Sequence, residues 1–241
     1  MTASVDIRRA SDRGTSTTDW LDSKHSFSFA GYYDPSNTHH GLLLVNNDDR
    51  VTPAAGFDTH PHRDMEIVTW VLAGSLEHRD SMGNAGVIYP GLAQRMSAGT
   101  GVLHSERNGS PSEAVHFVQM WVVPDEAGID PGYQQAEIGA DQLAGGLFTI
   151  ASGRHDDAAV AIHNKNAALH GARLQAGDAV TLPDAPFLHL FVPRGAVTLE
   201  GAGPLREGDA ARFTDADGVR ITASEASEIL VWEMHADLAA A

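Results

Sequence analysis

Short apolar runs alternate with turn-forming residues along most of this 241-residue chain. Glycine (24 residues) and proline (11 residues) recur between the runs. Runs of this length, bounded by Gly, Pro, Asn and Asp, are typical of the strands of a sandwich or barrel. The Ala-rich segment Asp156–Leu174 is interpreted as a strand plus a connection. The other strands that the pattern predicts are Gly41–Asn46, Glu66–Leu72, Val115–Val123, Phe187–Pro193, Gly195–Leu199 and Glu228–Glu233.

The same layout of runs and turns occurs twice in the chain. Thr69–Glu77 and Leu190–Glu200 each contain an apolar run, a glycine turn and a second alternating run. Two barrels of similar plan would explain this repeat, although two unrelated hairpins can also look alike. We therefore expect an all-β fold with two antiparallel barrels and few short helices. The expected division places residues 1–135 in the N-terminal barrel and residues 136–241 in the C-terminal barrel.

The acidic composition limits the classes of partner. The chain carries 32 Asp and Glu against 16 Lys and Arg, a formal net charge of −16. A surface of this sign repels nucleic-acid phosphates and anionic lipid, so we expect neither as a direct partner. Met1–Gly14 has no apolar leader, and no window reaches the roughly 20 apolar residues of a membrane span. These features predict a cytoplasmic protein.

Cysteine is absent from the chain. This excludes disulfides, thiolate nucleophiles, zinc–thiolate sites and iron–sulfur clusters. Any metal ion would have to bind nitrogen and oxygen ligands, and the 13 histidines are the main source of nitrogen. Ten of them are interpreted as surface or core residues rather than ligands, namely His25, His39, His40, His78, His116, His155, His163, His170, His189 and His235.

Two segments have a spacing that suits a metal site. His60 and His62 are two residues apart, and so are His104 and Glu106. Side chains i and i+2 of a strand point to the same face, so each pair can reach one point. The glycines of Gly99–Gly101 allow a tight turn that brings the second segment beside the first. Three imidazoles and one carboxylate suit a first-row divalent ion, and Fe, Mn, Ni, Co, Cu and Zn all remain open.

These segments resemble the two motifs of the cupin superfamily, and more closely those of the pirin family. The motif-like runs are His60-x-His62-x-x-x-Glu66 followed by Gly74, and Gly101-x-x-His104-x-x-x-Asn108. Pirin-like sequence also covers Trp20–Phe29, Asn47–Val51, His60–Val71, Glu77–Gly83 and Gln94–Asn108. The resemblance is strong over about residues 7–125, and the C-terminal half matches in layout only.

The resemblance implies a ligand set. Cupins in general often use the glutamate of the first motif, here Glu66, whereas pirins use the glutamate that follows the last histidine, here Glu106. We follow the pirin pattern, in which Glu66 is not a ligand but orients the ligands or supports the fold. Asp64 and Gln94 are further candidates for residues that orient the ligands. The expected metal ligands are His60, His62, His104 and Glu106.

The C-terminal copy of the pattern lacks these ligands. Aligning the glycine turns of the two halves places Thr181, Pro183, Ile221 and Ala223 opposite the four expected ligands. None of these side chains suits a metal ion. The second barrel is therefore expected to be a degenerate cupin barrel without a metal ion.

Similarity to bacterial pirins implies a quercetin 2,3-dioxygenase-like enzyme, which opens the flavonol heterocycle with O₂ and releases carbon monoxide. Iron is the ion implied first, and Glu106 would act as general base toward the bound flavonol hydroxyl. Met65, Trp70, Met96 and Trp121 are candidates for walls that exclude water. The alternative is a metal- or redox-dependent regulatory protein that binds protein partners and has no enzyme activity. We expect a monomer, because two barrels can cover each other's faces.

Overall fold

The structure, a computed structural model, describes residues 4–238. Residues 1–3 and 239–241, at the outer ends of the two expected barrels, lie outside the described residues. The first part of the chain forms β1 (Ser4–Arg8), a 3-10 turn (Ala10–Asp12), β2 (Gly14–Thr17), β3 (Leu21–His25), β4 (Leu43–Val51), β5 (Gly56–His62), β6 (Glu66–Ala73), β7 (Leu76–Asp80), β8 (Ala85–Ile88), β9 (Leu92–Ser97), β10 (Val102–Arg107), β11 (Val115–Val122) and β12 (Gly132–Glu137). The second part forms α1 (Ala140–Leu143), β13 (Phe148–Ser152), β14 (Val160–Ala161), β15 (Ala167–Leu174), β16 (Ala179–Thr181), β17 (Ala185–Arg194), β18 (Ala196–Leu199), β19 (Gly203–Arg206), β20 (Ala210–Ala216), β21 (Arg220–Ala223) and β22 (Ser227–Met234).

The strands form two large and two small sheets. In the first barrel, a seven-stranded sheet of order β12-β9-β6-β11-β4-β3-β2 is accompanied by the four-stranded sheet β5-β10-β7-β8. In the second, the seven-stranded sheet β1-β20-β17-β22-β15-β13-β14 is accompanied by β16-β21-β18-β19. Among the described strands, only β13 and β14 pair in parallel. The predicted all-β fold with two antiparallel barrels is confirmed.

Every strand predicted from the apolar runs is present, with differences at the ends. The predicted strand Gly41–Asn46 begins at Leu43 and continues to Val51. The turn at Gly74 is a corner between sheets rather than a hairpin, because β6 pairs with β9 and β11 whereas β7 pairs with β8 and β10. Gly74 has a φ of +73°, and a Cβ there would lie 2.8 Å from the carbonyl oxygen of Ala114. Both features favour glycine at this corner.

A large apolar core lies between the two seven-stranded sheets. Trp70 and Met120 of the first sheet and Phe191 and Trp232 of the second belong to one buried cluster. Alternate residues of each strand point away from this core into the barrel interior. The two barrels therefore share one core and each has a further interior of its own.

The interiors of the two barrels differ. The C-terminal interior contains one continuous apolar cluster. The N-terminal interior has two separate apolar clusters, one containing Phe117 and the other contacted by Trp121. Gln119 lies between these two residues on the same face of β11 and is buried. A polar layer therefore crosses the N-terminal barrel at the level of Gln119.

The edge strands of the two large sheets do not follow the expected order along the chain. β1, the first described strand, pairs with β20 in the C-terminal sheet, and β12 pairs with β9 in the N-terminal sheet. The expected division after residue 135 falls inside β12 and stays a prediction. Within residues 4–238, no helix is long and apolar enough to cross a membrane.

Candidate metal centre

Two neighbouring strands of the small N-terminal sheet, β5 and β10, carry the expected histidines. They pair in antiparallel fashion, with His104 opposite His60 and Val102 opposite His62. β5 is an edge strand of its sheet, so Pro61 is tolerated between the two histidines although it has no N–H to donate. The alternation predicted from the spacing of His60 and His62 is therefore realised on one strand.

The three histidine rings converge. Their centroids are separated by 4.9 Å for His60 and His62, 4.4 Å for His60 and His104, and 4.8 Å for His62 and His104. One ring nitrogen of each lies within 4.8 Å of those of the other two. The Nε2 atoms of His62 and His104 are buried and have no hydrogen-bond partner among the described residues. An unpartnered buried polar atom is costly, and a metal ion would satisfy both, so this donor set fits a first-row divalent ion.

The protonation of the histidines suits metal binding. Burial, with the neighbouring His60, lowers the pKa of His62 to about 4. Burial and the surrounding histidines lower the pKa of His104 to about 2. Both rings are therefore neutral near pH 7, which is the form that binds a metal ion. The Nδ1 atom of His60 donates to the carbonyl oxygen of Asp58 at 2.7 Å, which leaves its Nε2 atom as the acceptor.

Glu106 follows His104 on β10 beside an irregularity of the pairing. His104 lies opposite His60, but Glu106 lies opposite Phe57, so β5 has an extra residue between the two pairs. Such bulges re-aim side chains. The carboxylate of Glu106 is buried and accepts the Nε2 amide of Gln119 at 2.9 Å on each oxygen. Burial raises the pKa of Glu106 to about 7, although the hydrogen bond from Gln119 opposes the rise.

His104 belongs to a second group of donor atoms. Its ring, that of His78 and the carboxylate of Glu106 also have ligand atoms within 4.8 Å of one another. The Nε2 atom of His78 lies 3.3 Å from the Asp80 carboxylate, and the Nδ1 atoms of His78 and His104 are 3.5 Å apart. Because the carboxylate accepts from His78 Nε2, the Nδ1 atom of His78 is free to accept from His104. These two hydrogen bonds leave the Nε2 atom of His104 unprotonated and buried beside the other histidines.

A cavity of about 250 Å³ lies beside this site. His60, His62 and Glu106 form part of its wall. The Trp121 ring meets His62 edge to face, with centroids 4.8 Å apart, and meets Phe29 in the same way at 5.5 Å. The other side chains that line it are apolar (Leu21, Ala30, Phe57) or polar (Ser16, Ser23, His25, Asn47, Asp49, Gln119). The cavity thus combines a metal-binding wall with an aromatic one.

A second buried carboxyl group, that of Asp49, lines the same cavity. Burial raises the pKa of Asp49 to about 7, the hydroxyl of Ser23 donates to it and opposes the rise, and the charges of Asp48 and Glu106 add to it. Asp49 and Glu106 are therefore two acids that both change charge near neutral pH inside one cavity.

Two of the residues expected to orient the ligands, Asp64 and Glu66, make their hydrogen bonds elsewhere. Asp64 has a φ of +47° and ends the alternation between β5 and β6, so it does not share the face of His60 and His62. Glu66 accepts the Ser97 hydroxyl at 2.9 Å and the backbone N–H of His163 at 3.0 Å, which ties the first barrel to the second half of the chain. Gln94 is buried on β9. The side chains of Gln119 and His78 instead hydrogen-bond to expected ligands, Glu106 and His104 respectively.

Of the four residues predicted to form apolar walls of the cavity, one does so. Trp121 lines the cavity. Trp70 instead lies in the core between the barrels, and Met96 belongs to an interior cluster against which Met65 packs. Alternation along β6 explains the difference, since Trp70 faces the other barrel while Thr69 and Val71 face the interior.

Three residues of the site were missed by sequence reasoning: Gln119, Asp49 and His78. Gln119 carried a usable signal, because it is a polar residue in the middle of the largely apolar run Val115–Val123. A polar residue in a buried strand needs a partner. That Glu106 is this partner depends on how the strands pair, and the sequence alone does not give this pairing.

Comparison with known proteins agrees with this architecture. Residues 6–122 match the family model described as Pirin, and residues 149–234 match the model described as quercetinase C-terminal cupin domain. A Mycobacterium tuberculosis protein named "Putative quercetin 2,3-dioxygenase" is 67% identical over 239 residues, covering 99% of this chain and 98% of that protein. The chain belongs to the pirin family. The resemblance stated from its motifs is therefore confirmed.

A curated sequence and a solved structure, both from Escherichia coli, are also similar to this pirin-family chain. The quercetin 2,3-dioxygenase of strain K12 is 38% identical over 229 residues, covering 95% of this chain and 97% of that protein. The crystal structure of the bacterial pirin YhhW in complex with nickel(II) has a TM-score of 0.89 and 36% identity, covering 97% of this chain and 100% of that one. The fold is thus shared, and the YhhW structure holds nickel(II).

Proposed function

We propose that this chain is a metal-dependent dioxygenase of flavonols of the quercetin type. The ion would be held by His60, His62, His104 and Glu106. The observation that carries the proposal is the pair of buried, unpartnered Nε2 atoms of His62 and His104 beside a partly aromatic cavity. Relatives named as quercetin 2,3-dioxygenases support the choice of reaction. Iron is the ion we propose first, on the family resemblance.

In the proposed site, the metal ion and the protein make different contributions to the reaction. A bound divalent ion supplies Lewis acidity, which lowers the pKa of a hydroxyl group placed against it. The proposed set has three imidazoles and one carboxylate, so an octahedral ion would keep positions open for a further ligand. A flavonol offers a 3-hydroxyl next to a 4-carbonyl, which is a suitable pair of oxygen donors for such positions.

Glu106 is the proposed general base. Its buried carboxylate would accept a proton from the 3-hydroxyl of the substrate and hold it as the neutral acid. The two hydrogen bonds from Gln119 hold the carboxylate in place while its charge changes. In the overall reaction O₂ enters the ring-opened product and the heterocycle loses one carbon as carbon monoxide.

The aromatic wall is proposed to bind the flat rings of the substrate and exclude water. Phe29, Phe57 and Trp121 line one side of the cavity, and the edge-to-face contact of Phe29 with Trp121 fixes both rings. Excluding water strengthens the interactions of charged groups in the site. The cavity is somewhat smaller than the roughly 300–1,000 Å³ typical of small-molecule sites, so part of a flavonol would project outside.

The first test is anaerobic purification with elemental analysis, followed by O₂ uptake on addition of quercetin. We expect one metal ion in the N-terminal site, and quercetin-dependent uptake that His62→Ala abolishes together with the ion. Glu106→Gln should retain the ion at saturating metal and lose turnover, because the three imidazoles remain while the base is gone. Glu113→Gln, the same change at an exposed position, serves as the matched control.

The outcomes separate the two functions considered. A bound ion without quercetin-dependent uptake would contradict the dioxygenase and favour the regulatory alternative, in which the ion acts on a protein partner. Absence of a metal ion from the wild type after loading would contradict the ligand set. The monomeric state and the cytoplasmic location stay predictions.

A further inference from the structure

A second histidine–carboxylate cluster lies in the C-terminal barrel. Glu233 on β22 accepts hydrogen bonds from the Nε2 atoms of His170 at 3.0 Å and His235 at 2.7 Å. The Nε2 atom of His155 lies 3.4 Å from the same carboxylate. The ligand atoms of His155, His170 and Glu233 all lie within 4.8 Å of one another. Three imidazoles thus point the same nitrogen at one carboxylate.

The strand pairing shows which positions of the two barrels correspond. Thr69 and Leu190 precede the glycine corners of their barrels by the same number of residues. Their partners on the next strand are Gln119 and Val231. Both pairings also have an irregularity near the glycine corner. β11 and β22 are therefore equivalent position by position.

By this correspondence the cluster sits where the cavity wall sits in the N-terminal barrel. His170 takes the place of Asn47, and Glu233 takes the place of Trp121. Asn47 and Trp121 both line the cavity beside the proposed N-terminal site. The counterparts of β5 and β10 are β16 and β21, which contain no histidine. In the C-terminal barrel the candidate donors therefore come from the large sheet and the β13–β14 connection.

We propose that His155, His170 and Glu233 form a second site, for a divalent first-row metal ion such as Zn²⁺. Zinc bonds of about 2.0–2.1 Å in a tetrahedral site place neighbouring ligand atoms about 3.3 Å apart. The Nε2 atoms of His170 and His155 lie 3.0 Å and 3.4 Å from the same oxygen, Oε2 of Glu233. His235 binds the other oxygen, Oε1, and orients the carboxylate. A fourth position is left for water or an added ligand.

The cluster is preorganised and accessible. The hydroxyl of Thr149 lies 3.2 Å from the Nδ1 atom of His170, which directs the Nε2 atom of that ring to Glu233. The Glu233 and His170 side chains are almost buried, whereas His155 is 38% exposed and gives an ion a path from solvent.

One neighbouring group opposes a cation. The Nε atom of Arg154 lies 3.3 Å from Oε1 of Glu233. Its positive charge repels a divalent ion at this distance. The proposed site should therefore bind a metal ion more weakly than it would without Arg154. Replacing Arg154 by a neutral residue should raise the metal affinity.

The stoichiometry of zinc tests the proposal independently of enzyme activity. Each protein is dialysed against Zn²⁺ and analysed for bound metal. We expect two ions in the wild type, one in His60→Ala/His62→Ala, and one in His155→Gln/His170→Gln. Combining the four substitutions should remove both. His39→Gln, at a partly exposed histidine outside the cluster, is the matched control and should retain two.

Affinity measurements sharpen the result. In the His60→Ala/His62→Ala background, His155→Gln should weaken Zn²⁺ binding by more than about 10-fold, the smallest effect usual for groups that only orient ligands. Arg154→Gln should strengthen it. One ion in the wild type and none in His60→Ala/His62→Ala would overturn the second site and leave the proposed dioxygenase untouched. Zinc affinity that responds to neither His155→Gln nor Arg154→Gln would equally overturn it.

Discussion

The side-chain amide nitrogen of Gln119 lies 2.9 Å from each carboxylate oxygen of Glu106. Gln119→Leu keeps the volume of the side chain but removes this donor, so the pKa of Glu106 should rise further above about 7. Metal binding needs the ionised carboxylate. We expect Ni²⁺ affinity near pH 7 to fall by about 10-fold or more and to recover as the pH is raised. Calorimetric titration across this pH range measures the effect.

Thr69→Val provides the control for Gln119→Leu. Thr69 lies opposite Gln119 on β6 and is buried in the same layer. Its hydroxyl has no hydrogen-bond partner among the described residues, so replacing it removes polarity without removing a bond to Glu106. Metal affinity in Thr69→Val should match the wild type at each pH. Equal loss in both variants would mean that the polarity of the layer matters, rather than the contact with Glu106.

His78 distinguishes the two groups of donor atoms that share His104. If His78 orients His104 and does not bind the ion, His78→Phe should weaken metal binding by about 10–100-fold yet leave one N-terminal ion at saturating metal. If His78 is itself a ligand together with Glu106, that ion should be lost. His104→Ala should lose it in either case. Elemental analysis at saturation, together with titration, separates these outcomes.

Tyr133→Phe is the matched control for His78→Phe. The Tyr133 ring packs on His78 with centroids 4.8 Å apart, and its hydroxyl hydrogen-bonds to Gln135 at 3.0 Å. The substitution keeps the packing on His78 and removes a polar group directed elsewhere. We expect unchanged metal affinity. A loss as large as in His78→Phe would point to disturbed packing of the small sheet.

The architecture was readable from the sequence because each strand is a short apolar run closed by a turn residue. His60 and His62 were found because the alternation of a strand is local. Asp64 was a candidate for orienting the ligands, but its positive φ breaks the alternation after β5, before β6 begins. Local alternation thus predicts a face only as far as the strand continues.

Contacts between distant strands were beyond the reach of the sequence. Trp70 and Trp121 are both aromatic residues in apolar runs, yet one lies between the barrels and the other lines the cavity. Which face of β6 or β11 points into the barrel depends on how two large sheets pack, and both faces of these strands are buried. A strand that is apolar on both faces carries no alternation from which the choice could be made.

Asp49→Asn tests the buried acid of the cavity through its effect on stability. The pKa of Asp49 is raised from 3.8 to about 7 in the folded protein. Between about pH 4 and pH 7 the folded state therefore holds a proton that the unfolded state has already released. Its contribution is therefore fully present below about pH 4 and is lost as the pH rises through about 7. Metal-free wild type should lose stability as the pH rises from about 4 to about 7.

Asp49→Asn should flatten this dependence, because the asparagine does not ionise. Thermal unfolding of both metal-free proteins at several pH values measures the difference. Asp157→Asn, at an exposed carboxylate outside the cavity, should keep the wild-type slope. A slope unchanged by Asp49→Asn would assign the pH dependence to other groups, with Glu106 the next to test.

Trp70 and Glu228 connect the two barrels, because the indole N–H donates to the buried carboxylate at 2.7 Å. Trp70→Phe leaves this acceptor with Arg173, 3.3 Å away, as its remaining charged partner. We expect a loss of about 1.5–3 kcal/mol in the free energy of unfolding from the hydrogen bond to a charged group, measured by urea denaturation. Trp232→Phe removes the same atoms from the same core, but its indole nitrogen has no partner among the described residues. Trp70→Phe should therefore be the more destabilising change, and equal losses would show that packing alone accounts for both.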